Sequence, residues 1–220
     1  MQNPWIKLPK TKPYQLPNEK KQLSEFDFNS KNKLLKDRIP EPYLGNPFDC
    51  RAAILNQNPS SDARDVIIHN TDAGFRERSF KNLMHEVLDH PFYLLDPSLE
   101  HTPGSAWWSK YLETLIQDVS LSKVTKNLCV VELFPYHAKN KQDFLQLKDL
   151  DSVKYSHFLV NQIMAREIPI IIMRSKKEWI SAVPNLANYP TYELKNVRQI
   201  WITPSNMKNN GYLVLKNALV

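Results

Sequence analysis

The sequence predicts an α/β fold: a three-layer α/β/α sandwich around a parallel sheet. Two observations lead there. Four short apolar segments, residues 52–55, 128–134, 168–173 and 197–202, are mostly apolar and rich in β-branched or aromatic side chains. Strands covered on both faces read this way. Between them lie stretches of helical period. Strands alternating with helices imply a mostly parallel sheet with helices on both faces and right-handed crossovers.

In chain order, residues 1–24 carry Pro4, Pro9, Pro13 and Pro17. That spacing disfavours helix and predicts an extended arm. Residues 30–38 predict a short helix stopped by Pro40 and Pro42. After the first strand, Phe80, Leu83, Met84, Val87 and Leu88 share one helical face. A second helix follows from Trp108, Tyr111, Leu112, Leu115, Ile116 and Val119, with Trp107 and Trp108 packing its start on the core. Tyr155, Leu159, Gln162, Ile163 and Arg166 give a third, with Ser152 as its N-cap. Ser175 is the expected cap of a short helix through Trp179 to Val183, and residues 212–219 form the last. A chain of 220 residues, 42% hydrophobic, suits one such domain at residues 41–220 behind an arm of residues 1–40.

Composition removes several function classes. Only 4 glycines are present, against about 7% in average proteins. A Walker loop or a dinucleotide fingerprint needs clustered glycines, and neither occurs. Cys50 and Cys129 are too few for a disulfide framework or an iron–sulfur cluster and read as buried free thiols. His85, His90 and His101 lack metal-ligand spacing, so neither metal nor cofactor is expected. No apolar run reaches membrane-spanning length, and the first twenty residues lack the apolar core of a secretory signal. The expectation is a cytoplasmic protein without a membrane partner.

The net charge of +6 is unevenly placed. Residues 1–40 hold nine basic and four acidic side chains and so carry +5, leaving +1 for the other 180. A basic arm could track a phosphate backbone. Equally, it could be a solvated extension held on the domain by Trp5, Tyr14, Leu16, Phe26 and Phe28.

In open parallel sheets, ligands bind beyond the C-terminal strand ends. The four exits read Asn56-Gln57-Asn58-Pro59-Ser60-Ser61, Pro135-Tyr136-His137-Ala138-Lys139-Asn140, Arg174-Ser175-Lys176-Lys177 and Thr203-Pro204-Ser205-Asn206. Asn-Pro-Ser after the first strand is thus matched by Thr-Pro-Ser after the last, about 145 residues on. In this pairing the chain resembles the uracil-DNA glycosylase superfamily. There the first strand ends in Gly-Gln-Asp-Pro-Tyr-His, or Gly-Ile-Asn-Pro-Gly in the mismatch-specific branch. The last strand ends in His-Pro-Ser or Asn-Pro-Ser. Gln57-Asn58-Pro59 and Pro204-Ser205 match the cores of these motifs, and the resemblance covers about residues 45–219. It implies a four-stranded parallel sheet, DNA as partner, and hydrolysis of the N-glycosidic bond of a modified or mismatched base.

The resemblance also implies roles. Such chemistry flips the base into a pocket that stacks it and reads its edge. Donors aimed at the charge gathering on the departing base contribute most. Asn58 would orient the attacking water and Thr203 would stabilise the leaving base. Phe134 or Tyr136 would stack it, while Ser60, Ser205 and Asn206 hold phosphates. Asn58 follows the mismatch-specific branch, whereas the most active members carry Asp; Thr203 matches neither pattern. Glu132 falls nearest to the asparagine that reads uracil. As a carboxylate it accepts but does not donate, and so favours an amino or imino donor over a carbonyl.

Each residue also has a structural reading. Asn58-Pro59 is turn chemistry. Glu132, costly in an apolar strand unless paired, takes Arg174 or another cation as partner. His137 is a solvated loop histidine. Two further functions stay open: a nucleic-acid-binding module that has lost its chemistry, and an unrelated α/β hydrolase or transferase. The esterase version of the last lacks its Gly-x-Ser-x-Gly elbow.

Overall fold

A computed structural model describes residues 1–29, 34–59, 62–138 and 144–220. Its elements, in chain order, are α1 (Lys20–Asn29), β1 (Tyr43–Leu44), β2 (Ala52–Asn56), α2 (Asp65–Thr71), α3 (Ala73–Leu83), α4 (Pro103–Val119), α5 (Leu121–Asn127), β3 (Leu128–Glu132), α6 (Asp151–Ala165), β4 (Ile170–Ile172), α7 (Lys176–Ala182), β5 (Thr191–Glu193) and α8 (Gly211–Leu219). The fold is α/β with a mixed five-stranded sheet in the order β1-β3-β2-β4-β5. Every residue of β2, β3 and β4 is buried, which is why these strands carry unbroken apolar runs rather than alternation. Helices α5 and α6 pack on β3, and α8 packs on β2. This arrangement is compatible with a three-layer sandwich.

The expected purely parallel, four-stranded sheet is corrected in two places. The first is β1, which pairs antiparallel with β3 through Tyr43↔Val131 and Leu44↔Val130. Two residues behind Pro40 and Pro42 give no readable period. The second is the last strand. Residues 197–202 are not a strand. Their backbone is bound by asparagine side chains: Asn206 Nδ2 donates to the Gln199 and Trp201 carbonyls, and Arg198 N donates to Asn196 Oδ1. These local bonds compete with a ladder for the same backbone groups. The parallel partner of β4 is instead β5, polar and half-buried. The chain then returns, and Leu194 bridges Met207.

Among the helices, α4, α6, α7 and α8 stand where the sequence places them, with differences at the caps. Thr102 caps α4 by accepting from Ser105 N. Ser152 is not the α6 N-cap; Leu150 occupies that position, and Ser152 lies buried inside the helix, bound to Glu19. The face drawn through Val87 fails, because α3 ends at Leu83, His85 takes φ 57° and Val87 is 95% exposed. Of the expected helix at 30–38, residues 30–33 lie outside the described residues, and residues 34–38 are not helical. The helix of this region is α1.

The N-terminal arm is packed on the domain. Trp5, Tyr14 and Leu16 are buried and Phe26 is partly so, while the side chain of Phe28 lies outside the described residues. Glu19 accepts from Tyr136 Oη (2.6 Å), Ser152 N (2.7 Å) and Ser152 Oγ (2.9 Å), tying the arm to α6 and to the exit of β3. Among the described residues, no helix is long and apolar enough to cross a membrane.

Gly45 lets the turn after β1 press onto β3. Its φ is +84°, and a Cβ there would stand 2.5 Å from the Leu128 carbonyl oxygen. Gly45→Ala is expected to destabilise the fold by about 1–3 kcal/mol from the left-handed backbone alone, with the collision adding to this. Urea denaturation measures it, and a variant as stable as the parent would show that the turn is not pinned.

Candidate functional site

The central feature lies at the C-terminal ends of β2 and β3. Parallel pairing sets Asn56 opposite Glu132 as the last rung of the ladder. Side chains opposite one another in register share a face of the sheet, and Asn56 Nδ2 donates to Glu132 Oε1 at 3.0 Å. The Asn56 carbonyl is held in turn by the indole of Trp179 on α7 (2.7 Å) and by Leu133 N (3.3 Å). The two side chains are 5% and 3% exposed. Their remaining oxygens, Asn56 Oδ1 and Glu132 Oε2, are buried without a hydrogen-bond partner. Leaving such an atom unsatisfied costs about 1–3 kcal/mol. A water or a small polar ligand at this strand end would satisfy them.

Burial pushes the Glu132 carboxyl up to about 8, against the smaller opposing pulls of the Asn56 hydrogen bond and the Arg174 charge. Near neutral pH it is a carboxylic acid, and Oε2 can donate. The sequence-based expectation of an acceptor-only group is reversed at this point. The expected Glu132–Arg174 ion pair is corrected too: Arg174 is exposed and acts on Glu132 only as a weak, more distant charge.

A second set of polar groups adjoins the pair. Glu41 precedes β1, and its carboxyl is also pushed up to about 8, by burial first and then by the charges of Asp65 and Glu132. Tyr93 Oη donates to Glu41 Oε1 at 3.2 Å, and Ser79 Oγ donates to Tyr93 Oη at 3.2 Å. His69 on α2 stands with its Nε2 4.0 Å from Glu41 Oε1. Glu41, His69 and His137 bring one ligand atom each within 4.8 Å of one another, a donor set that suits a divalent transition metal. The hydrogen bonds set against that use. The Ile39 amide donates to His69 Nδ1 (3.0 Å), so the neutral ring carries its proton on Nε2, facing Glu41. A metal ligand needs a lone pair at that atom. The Ile39 carbonyl accepts from His137 Nε2 (3.0 Å). His69 is held neutral, its pKa pushed well below the usual value by burial and then by His137, Arg38 and Arg76. Ser79, Tyr93 and Glu41 form a hydrogen-bonded chain, and His69 Nε2 presents its proton toward Glu41 from 4.0 Å.

Several residues drawn from the two loop motifs bond within or beside their own turns. Asn58 Nδ2 donates to the Pro59 carbonyl (2.9 Å), and Pro59 is buried. Thr203 Oγ1 meets Ser205 Oγ at 3.1 Å and accepts from Asn206 N at 3.3 Å. Ser205 gives its carbonyl to Lys195 Nζ. Asn206 braces residues 199–201, as described above. The Thr203 loop is not a strand exit, since β5, the strand beyond β4, ends at Glu193. A cavity of about 450 Å³ beside Pro204 is lined by Asp118, Tyr212 and Lys216 and by none of the β2 or β3 ends. Gln57 is half-buried and accepts from Phe134 N (2.9 Å). Phe134 and Tyr136 are buried, with ring centroids 5.7 Å apart. The Tyr136 hydroxyl is committed to Glu19. His137 is 1% exposed rather than solvated. Ser60, together with Ser61, Lys139 and Asn140, lies outside the described residues.

Asn56, Glu41, Asp65, His69 and Tyr93 were not singled out from the sequence. Only Asn56 left a signal there: a polar residue ending an apolar strand, one position before the motif. No family model, curated protein or solved structure matches the chain.

A carboxyl raised in the folded state stays protonated there while the unfolded chain has already ionised. The stability it contributes is therefore fully present below about pH 4.5 and is lost as pH rises through about 8. The size is on the order of a few kcal/mol. Glu132→Gln keeps the shape and removes the titration. Between pH 5 and 8 the parent should lose more urea stability than the variant; equal slopes would show that Glu132 does not titrate in this range.

Proposed function

We propose that the Asn56–Glu132 pair binds the edge of an extruded nucleobase, and that the chain is a uracil-DNA glycosylase-like hydrolase. It would cleave the N-glycosidic bond of a modified or mismatched base in DNA. The observation that carries this reading is the pair of adjacent, buried, unpartnered oxygens at the ends of two central parallel strands. Asn56 Oδ1 accepts and protonated Glu132 Oε2 donates. A ring N–H beside a ring carbonyl is complementary to that edge, which is the pattern of uracil, thymine and hypoxanthine. Reading such an edge is what a flipped-base pocket must do. Glu41 with Tyr93, and His69 beside them, place exchangeable protons next to it, available to the departing base. In the reaction, water adds its oxygen to the sugar carbon and the base leaves with a proton.

A second reading is binding without cleavage. Asn58 favours it, because an amide at this position can orient a water but cannot take its proton as a carboxylate can. Labelled oligonucleotides carrying uracil, hypoxanthine or oxidised bases, followed by alkaline cleavage of abasic sites, separate the two. The glycosylase reading predicts product from lactam-edge bases. It also predicts a loss of about 10²–10³ in rate for Glu132→Ala, the usual effect of removing one preorganised donor. Salt-sensitive DNA binding without base loss would support the binding module. Neither activity nor binding at low salt would overturn both.

A further inference from the structure

The two cysteines lie 79 residues apart in sequence, yet their sulfurs are 3.0 Å apart in the fold. Cys129 is the second residue of β3, paired with Ala53, and Cys50 ends the turn that leads into β2. Gly45 presses this turn onto the Cys129 backbone. A covalent disulfide holds its sulfurs at about 2.05 Å, so closure needs an approach of roughly 1 Å. A cation is fixed at one sulfur only. Arg166, at the end of α6, donates from Nη2 to Cys50 Sγ (3.2 Å) and to the Pro47 carbonyl (2.8 Å), and from Nη1 to the Phe48 carbonyl (2.8 Å). The turn carbonyls thus aim the guanidinium at Cys50, while Cys129 is wholly buried.

From this geometry we propose that Cys50 and Cys129 are a thiol-oxidation site. Cys50 is the nucleophile, Cys129 the resolving thiol, and a small hydroperoxide the oxidant. The Cys50 thiolate attacks a peroxide oxygen; the O–O bond breaks, hydroxide leaves, and Cys50 becomes a sulfenic acid. The Cys129 sulfur then attacks the Cys50 sulfur. The new S–S bond forms as water leaves with the Cys129 proton, and the peroxide has been reduced by two electrons. The charge asymmetry agrees with this order: the neighbouring Cys129 thiol and the Arg166 charge pull the Cys50 thiol down, and burial pushes the Cys129 thiol up. A thiol 2% exposed admits hydrogen peroxide far more readily than a bulky disulfide. Transient, redox-sensing disulfides of this kind occur even in reducing compartments. The site is independent of the strand-end pair.

The test uses the full-length reduced chain treated with stoichiometric hydrogen peroxide, then alkylated with iodoacetamide under denaturing conditions and weighed intact. The expected result is loss of both alkylation sites and of two hydrogen atoms in mass, reversed by dithiothreitol, with the oxidised form melting higher because a long loop is closed. Cys129→Ser should leave Cys50 as a sulfenic acid trapped by dimedone, and Arg166→Gln should slow oxidation of the parent pair. Two alkylated thiols with unchanged mass would overturn the proposal. So would disulfide-linked dimers, or higher oxidation of Cys50 without an internal bond. The parent measurement decides even where a variant fails to fold.

Discussion

Parallel pairing in register imposes the constraint on which the site depends. Because β2 and β3 run side by side with no offset in their burial, their last residues must share an environment. Here those residues are Asn56 and Glu132. The ladder leaves no room for a carboxylate to reach solvent, and the exposed Arg174 is too weak a partner to hold its charge. The carboxyl is therefore kept as an acid, one oxygen on the neighbouring amide. Two oxygens remain buried without a partner. The strand pairing that builds the core thus also builds the proposed binding edge, and the acid–amide chemistry follows from burial rather than from a catalytic motif.

The surrounding shell works by the same logic. Glu41 cannot keep a charge near Asp65 and Glu132, so it too is held as an acid against Tyr93. Ile39 uses both of its backbone groups to hold histidines, His69 through its N–H and His137 through its carbonyl. That peptide lies where the N-terminal arm joins the domain, next to Pro40. The arm is therefore part of the site's support. Glu19 illustrates the cost and the offset: burial raises its pKa, while hydrogen bonds from Tyr136 and Ser152 pull the other way. Much of the basic charge that made the arm look like a phosphate tracker sits on an element whose apolar residues anchor it.

Legibility in the sequence followed burial. β2, β3 and β4 could be read because strands covered on both faces must be apolar throughout. Likewise α4, with its long apolar stripe, could be read. β1 is too short for any period, and β5 is polar because it is half-buried. The apolar residues 197–202 misled because Ile200 and Ile202 bury without a ladder, while Asn206 binds the carbonyls of Gln199 and Trp201 beside them and Ile202 N donates to the Tyr111 carbonyl. Glu132 was visible as a carboxylate in an apolar strand. Its protonation was not, since that depends on what surrounds it in space. The motif loops show the reverse error. Asn58 and Thr203 had the right letters, but the Asn58 Nδ2 and the Thr203 hydroxyl bond within their own loops, and the neighbour Asn56 carries the unpartnered oxygen. Glu41 and His69 come from separate elements and meet only through the fold.

The central claim is that Asn56 and Glu132 form one hydrogen-bonding edge for a base. The most direct measurement is an NMR titration of the Asn56 side-chain amide, assigned through Asn56→Asp, with free uracil and with uracil methylated at the ring nitrogen of its lactam. The account predicts a saturable shift with uracil that is lost with the methylated base and fades as pH rises through about 8. Equal shifts with both bases, or shifts confined to the loop at residues 203–206, would contradict it.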